Sequence, residues 1–135
     1  MAHWLVKSEP SVWSWDDQVK AGAKGTHWDG VRNHSAKLNM MAMKKGELAF
    51  FYHSNEERAV VGVVEIVREF YPAPDDPPFG MVDVRARTAF RTPVTLARAK
   101  AEPRLGKMVL VVNSRLSVQP VTDEEWKIVC AMGGV

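Results

Sequence analysis

Cys130 is the only cysteine in the chain, which excludes an internal disulfide and a cysteine cage for zinc. No apolar run approaches the roughly 20 residues of a membrane-spanning helix, and the first residues lack the basic-then-apolar layout of a secretory leader. A cytoplasmic protein with no membrane partner is expected. Also missing are an internal repeat, a low-complexity tract, a nucleophile motif, a closely spaced set of metal ligands and a phosphate-cradling glycine loop. The expectation is a protein without metal, cofactor or catalytic residue.

What is present suits one soluble domain over residues 1–135, with 46% hydrophobic and 25% charged residues. The net charge is only +2, but it is unevenly spread. From Arg85 to Arg115, eight cations stand against Glu102 alone, a net of +7 that leaves −5 for the rest of the chain. Within Met81 to Phe90, Val82, Val84 and Ala86 alternate with Asp83, Arg85 and Arg87. A strand there turns both arginines away from the core. Arg85, Arg87 and Arg115 are thus candidate phosphate contacts, with an ordinary solvated surface as the competing reading.

Local signals set out the elements. His3 to Val6 reads as a strand. Ser14 with Asp17, and Thr122 with Glu125, have the capping-box spacing that starts a helix. Glu47 to His53 is a strand, and the apolar run Ala59 to Val67 is a strand for the sheet centre. Tyr71 to Gly80 is too rich in proline for regular structure. The basic strand, a short helix over Thr95 to Ala101, an apolar segment at Met108 to Val112 and a strand at Arg115 to Val118 follow. Short strands with interspersed helices favour an α+β fold with a curved sheet or barrel.

The segment Trp28-Asp29-Gly30-Val31-Arg32-Asn33 brings an aromatic plane, a turn glycine, a guanidinium and an amide together. Stacking and hydrogen-bonding groups at such spacing are what a nucleobase pocket needs. Asn33 also precedes Ala36, Met40 and Met43 at helical spacing, the place of an N-cap, and Gly46 supplies a left-handed stop. On these residues alone Trp28 as pocket wall and Trp28 as core both stand.

Four blocks in order, Trp4 to Pro10, Trp28 to Asn33, Phe50 to Asn55 and Arg115 to Val121, resemble the EVE domain over nearly the whole chain. The resemblance implies a PUA-like pseudo-barrel, with a curved mixed sheet flanked by short helices and related to the YTH domains that read methylated adenine. It further implies recognition of a modified base, foremost a modified cytosine in DNA, with RNA as the other nucleic-acid partner. By position it makes Lys7, Ser8 and Trp28 pocket residues, joined by Tyr52, His53 and Ser54, with Arg32 and Asn33 beside them. Two departures stand out. No second tryptophan stands between Arg68 and Val118, and Trp13 stands where a tyrosine is usual. EVE domains fused to effectors serve modification-dependent restriction, and since no effector domain is evident in this sequence, an effector would be a separate protein. The rival reading is a hydrolase acting on RNA or nucleosides, with His53 or His34 as general base and Lys7 or Arg32 stabilising charge.

Overall fold

The computed structural model describes residues 2–28, 34–55, 57–72, 80–113 and 115–135. Strand β1 (His3–Ser8) leads to helix α1 (Trp15–Lys20), strand β2 (Thr26–Trp28) and helix α2 (His34–Ala42). Then come β3 (Leu48–His53), β4 (Ala59–Pro72), β5 (Gly80–Thr95) and α3 (Leu96–Ala101). A 3-10 turn (Pro103–Leu105), α4 (Val109–Val112), β6 (Val118–Val121) and α5 (Asp123–Gly133) complete the chain. The six strands form one mixed sheet in the order β2-β5-β4-β3-β1-β6. β1 and β3 run parallel and the other neighbours antiparallel.

Alternation along the strands sorts side chains into two cores, one on each face. Trp4, Val6, Phe51 and Trp28 pack under Ala36, Met40 and Met43 of α2 and its exit. Leu5, Phe50 and Tyr52 meet Leu105, Leu110, Ile128 and Val129 on the other face. Trp126 of α5 stacks on Phe50 at 3.9 Å between ring centroids. Bulges bend the sheet: between Phe51 and Tyr52 the partner on β4 jumps from Gly62 to Val60, leaving one extra residue there. The result is the expected α+β fold, a curled sheet with short helices on both faces.

Both capping boxes form. The Ser14 and Thr122 hydroxyls accept from the amides of Asp17 and Glu125, whose carboxylates answer back to the cap amides. Other expectations shift. β4 and β5 reach Pro72 and Gly80, shortening the proline-rich loop, whose residues 73–79 lie outside the described ones. The apolar segment at Met108 to Val112 is helical over Val109–Val112, three of whose four residues are β-branched, because burial of Leu110, not intrinsic preference, decides it. The last strand starts at Val118, three residues later than the expected start at Arg115. It is an edge strand, where the exposed Pro120 is tolerated. Thr26–Trp28 pairs with Val82–Val84 as a short edge strand.

A buried carboxylate ties the first strand to the α2–β3 turn. Glu47 accepts from Trp4 Nε1 at 3.0 Å, the Lys44 amide at 2.7 Å and the Ala2 amide at 2.8 Å. Burial pushes its pKa upward, but these donors outweigh it and hold the carboxyl below its ordinary value. As pH falls, the unfolded chain takes up this proton first. The carboxylate's contribution is therefore whole above the ordinary carboxylate value and lost as pH drops through the depressed one. Glu47→Gln turns an amide N–H toward donors and is expected to cost about 1–3 kcal/mol near neutral pH. Denaturant unfolding near neutrality and in acid checks this: the two proteins converge in acid, and equal stability at neutrality would refute the role.

Candidate functional site

Because β1 and β3 are parallel, their C-terminal ends open at the same place, and a cleft of about 880 Å³ lies there. Ser8 and Ser54 meet at its floor through the Ser54 amide, which donates to the Ser8 carbonyl at 2.9 Å. The Lys7 amide donates to Ser117 O at 3.0 Å, bringing in the segment before β6. The turn leaving β1 is pinned: Glu9 O accepts from the amides of Val12 (2.9 Å) and Trp13 (2.8 Å), and the Ser8 hydroxyl donates to Trp13 O at 2.5 Å. That bond uses the one hydroxyl donor of Ser8, so toward the cleft Ser8 offers only its acceptor side.

Two indoles line the cleft. Trp28, at 6% exposure, belongs to the core and also borders the cleft, to which it shows little of its surface. Trp13 is half-buried and anchored from behind. Its Nε1 donates to Gln18 Oε1 at 3.0 Å, and the fully buried Gln18 donates through Nε2 to Val84 O at 3.1 Å. Tyr52 lies in the wall, with Lys7 Nζ 5.4 Å from its ring centroid. Burial lowers the Lys7 pKa, so this amine gives up its charge earlier than an ordinary lysine as pH rises. Burial raises that of the Tyr52 phenol, against the opposing pull of Arg58.

The rim is cationic. Arg58, Lys100 and Arg115 join Lys7, and Glu9 is the one carboxylate among the described lining residues. Arg58 sits in the β3–β4 turn, where both it (φ 50°) and Asn55 (φ 68°) adopt left-handed backbone. Its Nε donates to Asn55 O at 2.9 Å, which orients the guanidinium. Non-glycine residues rarely take this conformation unless their surroundings impose it.

Of the residues expected at the site, Lys7, Ser8, Trp28, Tyr52 and Ser54 line this cleft together with Arg115. His53 does not. Its Nε2 accepts the Trp15 amide at 2.9 Å and its Nδ1 lies 3.0 Å from Glu57 Oε2, so the ring joins β3 to the start of α1. His34, the other base of the hydrolytic reading, is on the exposed first turn of α2 and does not line the cleft. Arg32 and Asn33 lie outside the described residues. The three expected phosphate contacts separate. Arg85 and Arg87 converge on Glu65 Oε1 at 2.8 and 2.9 Å, beside a smaller depression near Trp15. The β4–β5 register sets Glu65 opposite Arg85, so the apparent excess charge of this strand is partly cancelled from twenty residues earlier. Trp13, Arg58 and Lys100 were not expected at the site. Trp13 had a signal in its tryptophan-for-tyrosine departure, whereas Arg58 had none.

Residues 2–132 match the EVE domain family. A protein of Rhodopseudomonas palustris with an NMR structure is 63% identical, with a TM-score of 0.94 over 99% of this chain and 94% of that one. Thymocyte nuclear protein 1 of Homo sapiens is 35% identical, the match covering 97% of this chain and 73% of the relative. A crystal structure of human THYN1 protein in complex with 5-methylcytosine-containing DNA is 36% identical, with a TM-score of 0.89 over 100% and 99% of the two chains. The ASCH protein of Zymomonas mobilis, 11% identical with a TM-score of 0.61, shares the fold.

The Gln18 bridge yields a test independent of any ligand. Gln18→Leu leaves the Trp13 indole N–H without its acceptor and is expected to destabilise the protein by about 1–3 kcal/mol while preserving the fold. The Trp13 indole N–H resonance then moves and exchanges faster with solvent. An unchanged resonance and exchange rate would show that Gln18 does not hold this wall.

Proposed function

The chain belongs to the EVE domain family, and on that premise we propose that it reads a modified cytosine in DNA without catalysing a reaction. The observation that carries the reading is one cleft combining two indoles with four cations, in a chain 36% identical to a protein crystallised with 5-methylcytosine-containing DNA. A flipped base enters between the strand ends and stacks on the anchored Trp13 and the exposed edge of Trp28. Stacking contributes roughly 1–3 kcal/mol per base, as it does in other single-base pockets.

Grip and reading fall to different residues. Arg58, Lys100 and Arg115 on the rim hold phosphates, a salt-sensitive contribution blind to sequence. Lys7, poised over Tyr52, supplies a donor for the base carbonyl. Ser8, Ser54 and Ser117 offer hydroxyl oxygens. A methyl group alone discriminates by about 1–3 kcal/mol in an apolar pocket, so selectivity over unmodified cytosine is modest. Hydrolysis has little support, since the imidazole of His53 is held by Trp15 and Glu57, away from the cleft.

Binding to DNA and RNA strands carrying cytosine, 5-methylcytosine or 5-hydroxymethylcytosine, at two salt concentrations, tests the reading. Modified DNA binds best and is recovered intact. Trp13→Ala weakens it by about 5- to 150-fold, and this half-buried position is safer for folding than Trp28. Arg58→Ala weakens all strands alike and lowers the salt slope by about 1. Binding indifferent to the modification would refute the reading, and release of product without added metal would favour the hydrolase.

A further inference from the structure

We propose that Glu9 distinguishes 5-methylcytosine from thymine in this cleft, an inference that rests on the modified-cytosine reading above. The two bases share the 5-methyl group and the ring outline. Stacking on Trp13 and Trp28, and any pocket shaped for the methyl, treat them alike. They differ at position 4, where cytosine carries an amine and thymine a carbonyl, and at N3, a lone pair in one and an N–H in the other. A reader of methylated cytosine must therefore meet position 4 with an acceptor or N3 with a donor, or it reads thymine as well.

The cleft's side chains include many that accept, but apart from the Ser8 oxygen, a neutral acceptor whose proton is bound to Trp13 O, the uncharged ones also donate. The hydroxyls of Ser54, Ser117, Thr26 and Tyr52 rotate to suit a carbonyl, and the Asn55 amide serves either base by turning over. An ionised carboxylate only accepts. Glu9 is the one carboxylate among the described lining residues. It satisfies a cytosine amine and repels a thymine carbonyl, and rejection by an unpaired acceptor is stronger than rejection by shape.

Position and polarity support the assignment. Lys7 and Glu9 flank Ser8 at the end of β1, a donor-only and an acceptor-only side chain at one strand end. Cytosine presents the complement, an acceptor at O2 and a donor at N4. The Glu9 backbone is fixed by the two amides that its carbonyl accepts, so the side chain starts from a defined place although its surface is exposed. Its charge also opposes the phosphate grip of the cationic rim, so deleting it strengthens binding to DNA in general. The readout is accordingly the ratio between bases and not the affinity for one.

Strands identical save for one base, 5-methylcytosine, thymine, cytosine or deoxyuridine, are titrated with the wild type, Glu9→Ala and Glu9→Gln at one salt concentration. The last two bases ask the same question without the methyl. The wild type is expected to favour 5-methylcytosine over thymine by about 5- to 150-fold. Glu9→Ala brings the ratio close to unity, chiefly by tightening thymine. Glu9→Gln, whose amide can donate or accept, falls between. Both variants keep the wild-type melting temperature. A wild-type ratio retained in Glu9→Ala, or a wild type that does not separate the two bases, overturns the proposal. Failure to separate 5-methylcytosine from cytosine counts against the reader itself and leaves the amine-reading test to the cytosine and deoxyuridine pair.

Discussion

The parallel pairing of β1 with β3, from His3 opposite Leu48 to Ser8 opposite His53, is the constraint on which the rest depends. Antiparallel neighbours would place the two strand ends at opposite edges of the sheet. Parallel ones place them side by side, and they oblige the chain to cross over between Ser8 and Leu48. That crossover holds α1, β2 and α2, and so carries Trp13 and Trp28. The segments leaving β1 and β3 supply Glu9 and Trp13 on one side and Ser54, Asn55 and Arg58 on the other. The cleft is therefore a consequence of strand direction, and its side chains come from the places where the ladder ends and backbone is no longer committed to it.

Backbone at those ends is satisfied internally, which shapes the chemistry that remains. The amides of Ser54, Val12, Trp13 and Lys7 are all bonded to carbonyls nearby, and the Ser8 hydroxyl is spent on the turn. Recognition thus falls to side chains on a stiff frame. A stiff frame forgoes little conformational entropy when a ligand arrives, and a weak set of contacts then binds better than its number suggests. The lowered pKa of Lys7 belongs to the same balance: burial beside Tyr52 disfavours its charge, and an anionic or carbonyl partner offsets that cost.

What the sequence reveals about this molecule follows the range of each interaction. Capping boxes at Ser14 and Thr122 act over three residues, and the apolar run of β4 speaks for itself, so both are readable before the fold is known. The four EVE-like blocks placed Lys7, Ser8, Trp28, Tyr52 and Ser54 in one cleft. The pairing of Arg85 and Arg87 with Glu65 was not legible because that partner is on another strand. Arg58 and Lys100 were invisible because they meet Lys7 only once β3, β4 and α3 are folded. The run Val109–Val112 favours a strand by composition and became a helix because tertiary burial overrides a local preference of a few tenths of a kcal/mol per residue.

His53 shows how a functional-looking residue becomes a structural one. The first amides of a helix have no partner within it, and the amide of Trp15 at the start of α1 finds one in His53 Nε2. With that lone pair occupied, the proton resides on Nδ1 and points to Glu57. The Trp15 ring meanwhile lies so close over Gly62 that a Cβ there would fall 2.4 Å from it, and only glycine fits. Three ties thus converge on α1: the His53 bond, the Gly62 contact and the Gln18 bridge to Val84. Trp13 stands one turn of chain before that helix, so its plane is set by the sheet before any base arrives. The wall of the cleft is an extension of the core, and its geometry is as stable as the packing that holds it.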